Sequence, residues 1–152
     1  MGSLSPGTSG SSIVPPMSEG WPPDDRHQVL WDGECVFCGR AMSWFERHDI
    51  QGRLSFVAYQ SVPSPPMTPE WGRACAHALH LQKQDGEMLR AGRATLFMLH
   101  QVGFVRTARL LGLPPLVWVV EALYWLTARN RHVVGKLLFR NEAERRWRPA
   151  GD

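Results

Sequence analysis

The chain has 152 residues, 43% of them hydrophobic and 20% charged, with a formal net charge of +3 at pH 7. That length holds one domain with a real core and is too short for two ordinary ones, and the composition is globular apart from the ends. Three cysteines are an odd and sparse set, which excludes a disulfide scaffold.

From Met1 to about Asp25 the chain is rich in Gly, Ser and Pro. Such a segment cannot bury enough surface to offset its entropy, so residues 1–25 are expected to be a disordered tail. The start lacks the charged and apolar regions of a secretory signal, and Pro6 breaks the myristoylation pattern. A cytoplasmic, reducing compartment is therefore the expectation.

"HQVLWD", His27 to Asp32, is a short apolar run ended by Gly33 and reads as a buried strand. Cys38, Ala41, Met42 and Phe45 then recur at i, i+3, i+4 and i+7, one face of a helix that Gly52 follows. "RLSFVAYQ", Arg53 to Gln60, sets Leu54, Phe56 and Ala58 against Ser55, Val57 and Tyr59, the alternation of a strand. "SVPSPPMTPE" reads as a loop with a single helical turn around Pro69 to Arg73. "AHALHLQKQDGEMLR" predicts two strands joined by a turn at Asp85-Gly86. "RATLFMLHQV" carries helical spacing at Leu96, Leu99 and Val102, with Gly103 to end it.

"FVRTARLLGL" predicts a short helical segment stopped by Gly112 and Pro114-Pro115. A longer helix starts after those prolines, apolar from Leu116 to about Ala128 and so short of the roughly 20 residues that span a bilayer. Past Asn141 the polar end, residues 142–152, is expected to fray. Two strands flanking a helix suggest a parallel crossover, and the hairpin adds antiparallel strands. The expected fold class is α/β: a mixed four-stranded sheet flanked by helices over residues 26–141, with a helical C-terminal extension at about 104–140.

The chemistry concentrates in Cys35-x-x-Cys38. Cys38 shares the apolar stripe and is expected to point inward. Cys35 falls at the first turn, where unpaired N–H groups and the helix dipole favour a thiolate. An exposed attacking sulfur followed by a sheltered resolving one is the division of labour that disulfide exchange needs. Asp32 opposes the thiolate if ionised nearby; it can serve as the base for Cys38 or bond the N–H groups of the Gly33-Glu34 turn.

"WDGECVFC" followed by a helix resembles the opening of the DCC family of predicted thiol-disulfide oxidoreductases, a thioredoxin-like group named for one Asp and two Cys. Asp32, Cys35 and Cys38 match those three positions. The resemblance continues through "LSFVAYQS" and the Asp-Gly hairpin, and returns in the C-terminal segment at Tyr124 and Ala128 to Arg131, covering roughly residues 28 to 140. It implies a thioredoxin-like fold and a protein-disulfide reductase type of activity, with a disulfide-bearing protein or a small thiol as partner. Thioredoxin-like proteins usually place a cis-proline just before the third strand; "RACAHALHL" has no proline and holds Cys75 instead. The apolar Val36-Phe37 between the cysteines adds no positive charge, so a reducing rather than a strongly oxidising pair is expected.

Two rival readings use other residues. Cys35, Cys38, Cys75 and His77 are four ligands of zinc-compatible type, with Cys75 and His77 two apart on a predicted strand. A non-catalytic binding module is the other. From Phe104 to Arg148 nine Lys/Arg stand against three Glu, so Trp118, Trp125, Arg129, Arg131, Lys136 and Arg140 suggest a surface for an anionic membrane or a protein. The plainer expectation is that Trp118 and Trp125, seven apart, pack on the sheet, and that Arg129 and Arg131 bond backbone carbonyls or Glu121. No nucleic-acid motif is present, and neither a Gly-rich phosphate loop nor a dinucleotide fingerprint points to a cofactor.

Overall fold

A computed structural model describes residues 24–138. The tail through residue 23, the polar end at 142–152 and Arg140 lie outside the described residues. At the start of the described residues Asp24 accepts hydrogen bonds from the Arg26 N–H (2.9 Å) and the Gln28 side chain (2.6 Å).

Strand β1 (His27–Trp31) is buried along its whole length, as its apolar run requires. Helix α1 (Val36–His48) carries the Met42 and Phe45 stripe inward. At its end, Asp49 accepts hydrogen bonds from the N–H groups of Arg53 (3.1 Å) and Leu54 (2.8 Å), which turns the chain into strand β2 (Leu54–Ala58). Helix α2 (Pro69–His77), strands β3 (His80–Gln82) and β4 (Met88–Arg90), and helix α3 (Ala91–Gln101) follow. Helices α4 (Val105–Leu111), α5 (Leu116–Arg129) and α6 (Arg131–Leu138) complete the described chain.

The sheet order is β2-β1-β3-β4. Strand β2 runs parallel to β1, pairing His27 with Leu54 through Trp31 with Ala58. Strand β3 is antiparallel to both β1 and β4. The hairpin closes through the Lys83 N–H to the Glu87 carbonyl (2.8 Å), with Gly86 at a φ of +89° that favours glycine. A crossover and a hairpin in one mixed sheet with helices on its faces is the thioredoxin-like α/β fold that the sequence implies.

The alternation in β2 sorts residues to two cores. Leu54, Phe56 and Ala58 join Val29, Trp31, Met42, Phe45, Leu81 and Met98 on one face. Val57 and Tyr59 join Leu30, Met67, Trp71 and Cys75 on the other. Each fully buried side chain of this size contributes about 1.5–3 kcal/mol by leaving water.

Two sequence expectations change. The stretch assigned to a helical turn and then a strand is the nine-residue helix α2. Thr68 accepts from the Trp71 N–H at 3.3 Å and Pro69 occupies the first helical position, a strong helix start. Cys75 and His77 therefore lie on a helix, and the buried pair Trp71 and Cys75 falls at i, i+4. The second change concerns Trp118 and Trp125, which are exposed rather than packed on the sheet. Each follows by one residue, and so by about 100° round the helix, a residue on the side by which α5 packs, Val117 or Tyr124. The irregularity at Asn130 is a break between α5 and α6, where the Asn130 side chain donates to the Leu126 carbonyl (2.9 Å).

Candidate active site

The turn between β1 and α1 is built around Asp32. Its backbone carbonyl accepts from the Cys35 N–H at 3.1 Å. Its Oδ1 accepts from the Glu34 N–H at 3.1 Å, an Asx turn, and from Gln60 Nε2 at 2.8 Å. Gln60 Oε1 in turn accepts from the Gly33 N–H at 3.0 Å, so one amide spans the gap between the turn and the end of β2. A Cβ on Gly33 would meet Ala58 Cβ at 2.8 Å, so only glycine lets the loop approach the strand this closely. The remaining carboxylate oxygen, Oδ2, lies 3.2 Å from Arg131 Nη1, at the start of α6. Asp32 thus takes the turn-bonding role that its residue type suggested, and it also ties the C-terminal helices to the turn.

The two thiols are free and unlike. Cys35 is the N-cap of α1, and its Sγ accepts from the Cys38 N–H at 3.3 Å. A hydrogen bond from the Cys38 thiol is the largest influence bringing the Cys35 thiol down to about 6. The Cys38 N–H and the Arg131 guanidinium act in the same direction, while burial and Asp32 act against it. The Cys38 thiol is held far above its ordinary range, because it donates to Cys35 and is desolvated. Two thiols sharing one proton cannot both ionise, so the pair settles with the charge on Cys35.

Cys38 packs against the core cluster, as its stripe implies, but the exposure expected of Cys35 is not found. Cys35 is only 5% exposed, whereas Cys38 is half-buried. N-cap geometry explains the reversal: the Cys35 side chain folds back to the N–H groups of the first turn. Cys38, one turn further on, faces a cavity of about 310 Å³ between α1, the α2–β3 connection, α5 and α6. Asp32, Phe37, Ala41, Tyr124 and Arg131 are among the residues lining it with Cys38, and its walls are mainly apolar.

Cys75 and His77 reach the same cavity from α2. Burial pushes the Cys75 thiol up to about 12, which keeps it neutral and unreactive. The four proposed zinc ligands do not converge: among the described residues no three His, Cys, Asp or Glu side chains stand as a metal-ligating group. His80, by contrast, is a satisfied core residue, its Nδ1 2.9 Å from the Ala78 carbonyl oxygen.

Gln60, Arg131 and Tyr124 hold the site, and sequence reasoning assigned none of them that part. Arg131 pairs with Asp32 rather than with Glu121 or backbone carbonyls. The Tyr124 hydroxyl accepts from the Leu79 N–H at 2.7 Å, which fastens the connection between α2 and β3 where no proline stands. Tyr124 and Arg131 lie in the segment that resembles the DCC family, but no spacing links them to Asp32 or Leu79. Their partners come from distant parts of the chain.

A family model described as DCC1-like thiol-disulfide oxidoreductase matches residues 29–137. The match takes in the Cys35/Cys38 turn, the sheet and the helices to α6. No curated protein and no solved structure is similar enough to count as a match.

Proposed function

The chain belongs to the DCC1-like thiol-disulfide oxidoreductase family, and from that premise we propose that its dithiol exchanges with a partner's disulfide as a protein-disulfide reductase. The observation that carries the reading is the inequality of the two thiols: Cys35 is brought down to about 6 and Cys38 is driven up. At neutral pH Cys35 is the thiolate and attacks one sulfur of a substrate disulfide. That S–S bond breaks, the leaving thiolate takes a proton from water, and Cys35 is joined to the other half in a mixed disulfide. Cys38 then loses its proton and attacks the Cys35 sulfur, releasing the second substrate thiol and leaving a Cys35–Cys38 disulfide. Two electrons have passed from the protein to the substrate. A small thiol or a second dithiol protein returns them.

Asp32 stands on the cavity wall beside Cys38, and in this reading its carboxylate receives the Cys38 proton during resolution. Its bond to Arg131 keeps it in place for that step. Half-burial suits Cys38 to wait, since its neutral thiol stays unreactive until the mixed disulfide removes the charge next to it. A reducing compartment suits a pair with apolar Val36 and Phe37 between the cysteines.

Insulin-disulfide reduction, with mass-spectrometric trapping of mixed disulfides, tests the scheme. Cys35→Ser is expected to fall to background. Cys38→Ser should accumulate a mixed disulfide on Cys35, and Asp32→Asn should slow resolution and raise the trapped fraction. Wild-type protein without activity, or a Cys35→Ser/Cys38→Ser double variant that retains it, defeats the proposal.

A further inference from the structure

Helix α5 is dressed the wrong way round for an ordinary soluble domain. Its inward side carries Glu121, Tyr124 and Thr127 beside Val117, Val120 and Ala128. Glu121 is turned onto α3, accepting from the Arg93 N–H at 3.1 Å. The outward side carries Trp118 (67% exposed), Val119, Trp125 (40%) and Leu126 (60%). A helix packed against its own domain normally keeps its apolar stripe inside and its polar residues outside. Leu110, Leu113 and Leu116, at and just before the start of α5, extend the exposed apolar surface. Large apolar side chains exposed together along one segment are the mark of an interaction site.

Charge identifies the occupant. From Phe104 to Leu138 the chain carries Arg106, Arg109, Arg129, Arg131 and Lys136 against the single acid Glu121. Glu121 is spent on α3, and Arg131 on Asp32. Arg106 and Arg109 lie exposed on α4, Arg129 at the exposed end of α5, and Arg90 over the Trp125 ring at 5.1 Å. An apolar face with tryptophans and a basic rim is the pattern of a segment lying in the headgroup region of an anionic bilayer. Among the described residues no single helix is long and apolar enough to cross a membrane; α4 and α5 together have the length and composition of a span, but the pair is bent by 95°. The 14 residues of α5 rise about 21 Å, against about 30 Å of hydrocarbon.

We infer that the outward face of α5, continued through the α4–α5 turn, docks this protein onto an anionic membrane surface. The face is independent of the thiol chemistry, so either proposal can fail without the other. Because α5 also lines the cavity from its inner side, docking places the Cys38 cavity directly beneath the helix that meets the lipid.

Full-length protein is sedimented with vesicles of phosphatidylcholine alone and with vesicles containing about one-third phosphatidylglycerol. Binding to the anionic vesicles only, weakened at about 0.5 M salt where exposed charges are screened, is the expected result. Trp118→Ser/Leu126→Ser and, separately, Arg106→Glu/Arg109→Glu should each lower partitioning about tenfold or more. The pH midpoint of Cys35 alkylation should stay where it is in both, showing that the fold survives. Three results overturn the inference: no binding to anionic vesicles, equal binding to neutral ones, or binding that both variants retain. Self-association of the free protein that Trp118→Ser/Leu126→Ser abolishes, without vesicle binding, overturns it too and assigns the face to a second copy of the chain.

Discussion

The dithiol turn and helix α5 wall opposite sides of one cavity, and they are stabilised in opposite ways. Around Cys35 nearly every contact is local: an Asx turn at Asp32, an N-cap at Cys35, an apolar stripe at spacings of three and four. Helix α5 has no side-chain N-cap, and a single one of its residues, Val117, is buried. Its position rests on a few long-range bonds, Tyr124 to Leu79 and Glu121 to Arg93, aided by the Arg131–Asp32 pair at the start of α6. The lesson is that the Cys35 thiol owes its electronics mainly to its own turn, while the space in front of Cys38 is shaped from far along the chain.

Stability measurements should bring out the contrast most strongly. Phe45→Ala, which empties a place in the core behind the dithiol, is expected to cost about 3–5 kcal/mol in urea unfolding. Leu126→Ala on the outward face of α5 should stay within about 0.5 kcal/mol. A large cost at Leu126 in dilute, monomeric protein would mean that the face is buried after all and would erase the distinction.

Tyr124→Phe tests the long-range bond. It leaves the Leu79 N–H without its acceptor, and about 1–3 kcal/mol should be lost. Faster amide exchange at Leu79, with α1 unchanged, is the accompanying sign that the α2–β3 connection loosens while the dithiol turn does not. Uniform loss of protection across α1 and β3 would instead make the two regions one unit.

The remaining contrast is electrostatic. Alkylation of Cys35 should rise with a midpoint near pH 6, the value to which its thiol is brought down. Arg131→Gln removes one of the influences lowering that value, so the midpoint should move up. The same depression ties stability to pH. A thiol ordinarily at 9.0 that falls to about 6 on folding stabilises the native state increasingly from about pH 6 to about 9. The gain is complete above 9 and gone below 6. In Cys35→Ser this rise should vanish, and urea midpoints at pH 5.5 and 8.5, chosen about half a unit outside and inside that window, read it directly.

Much of this molecule is legible in its sequence because the signals are short-range. The buried run His27 to Trp31, the alternation from Leu54, the Asp-Gly hairpin and the prolines before Leu116 each dictate a local conformation, and together they specify the mixed sheet. The Cys38–Phe45 stripe likewise places the dithiol on a helix start. Cys75 and His77 imitate strand alternation and so hide the end of helix α2, although Thr68-Pro69 opens a helix. Cys35 looked accessible from its place at the helix start, yet the N-cap bond that lowers its pKa also folds its sulfur under the turn. Those bonds fall within four residues, so sequence determines that Cys35 and Cys38 are chemically unequal. Which thiol faces the cavity, what Asp32 holds, and which side of α5 meets the outside depend on groups that chain order separates. Only tertiary packing decided those, because a helix is indifferent to which of its faces is covered until another element arrives to cover it.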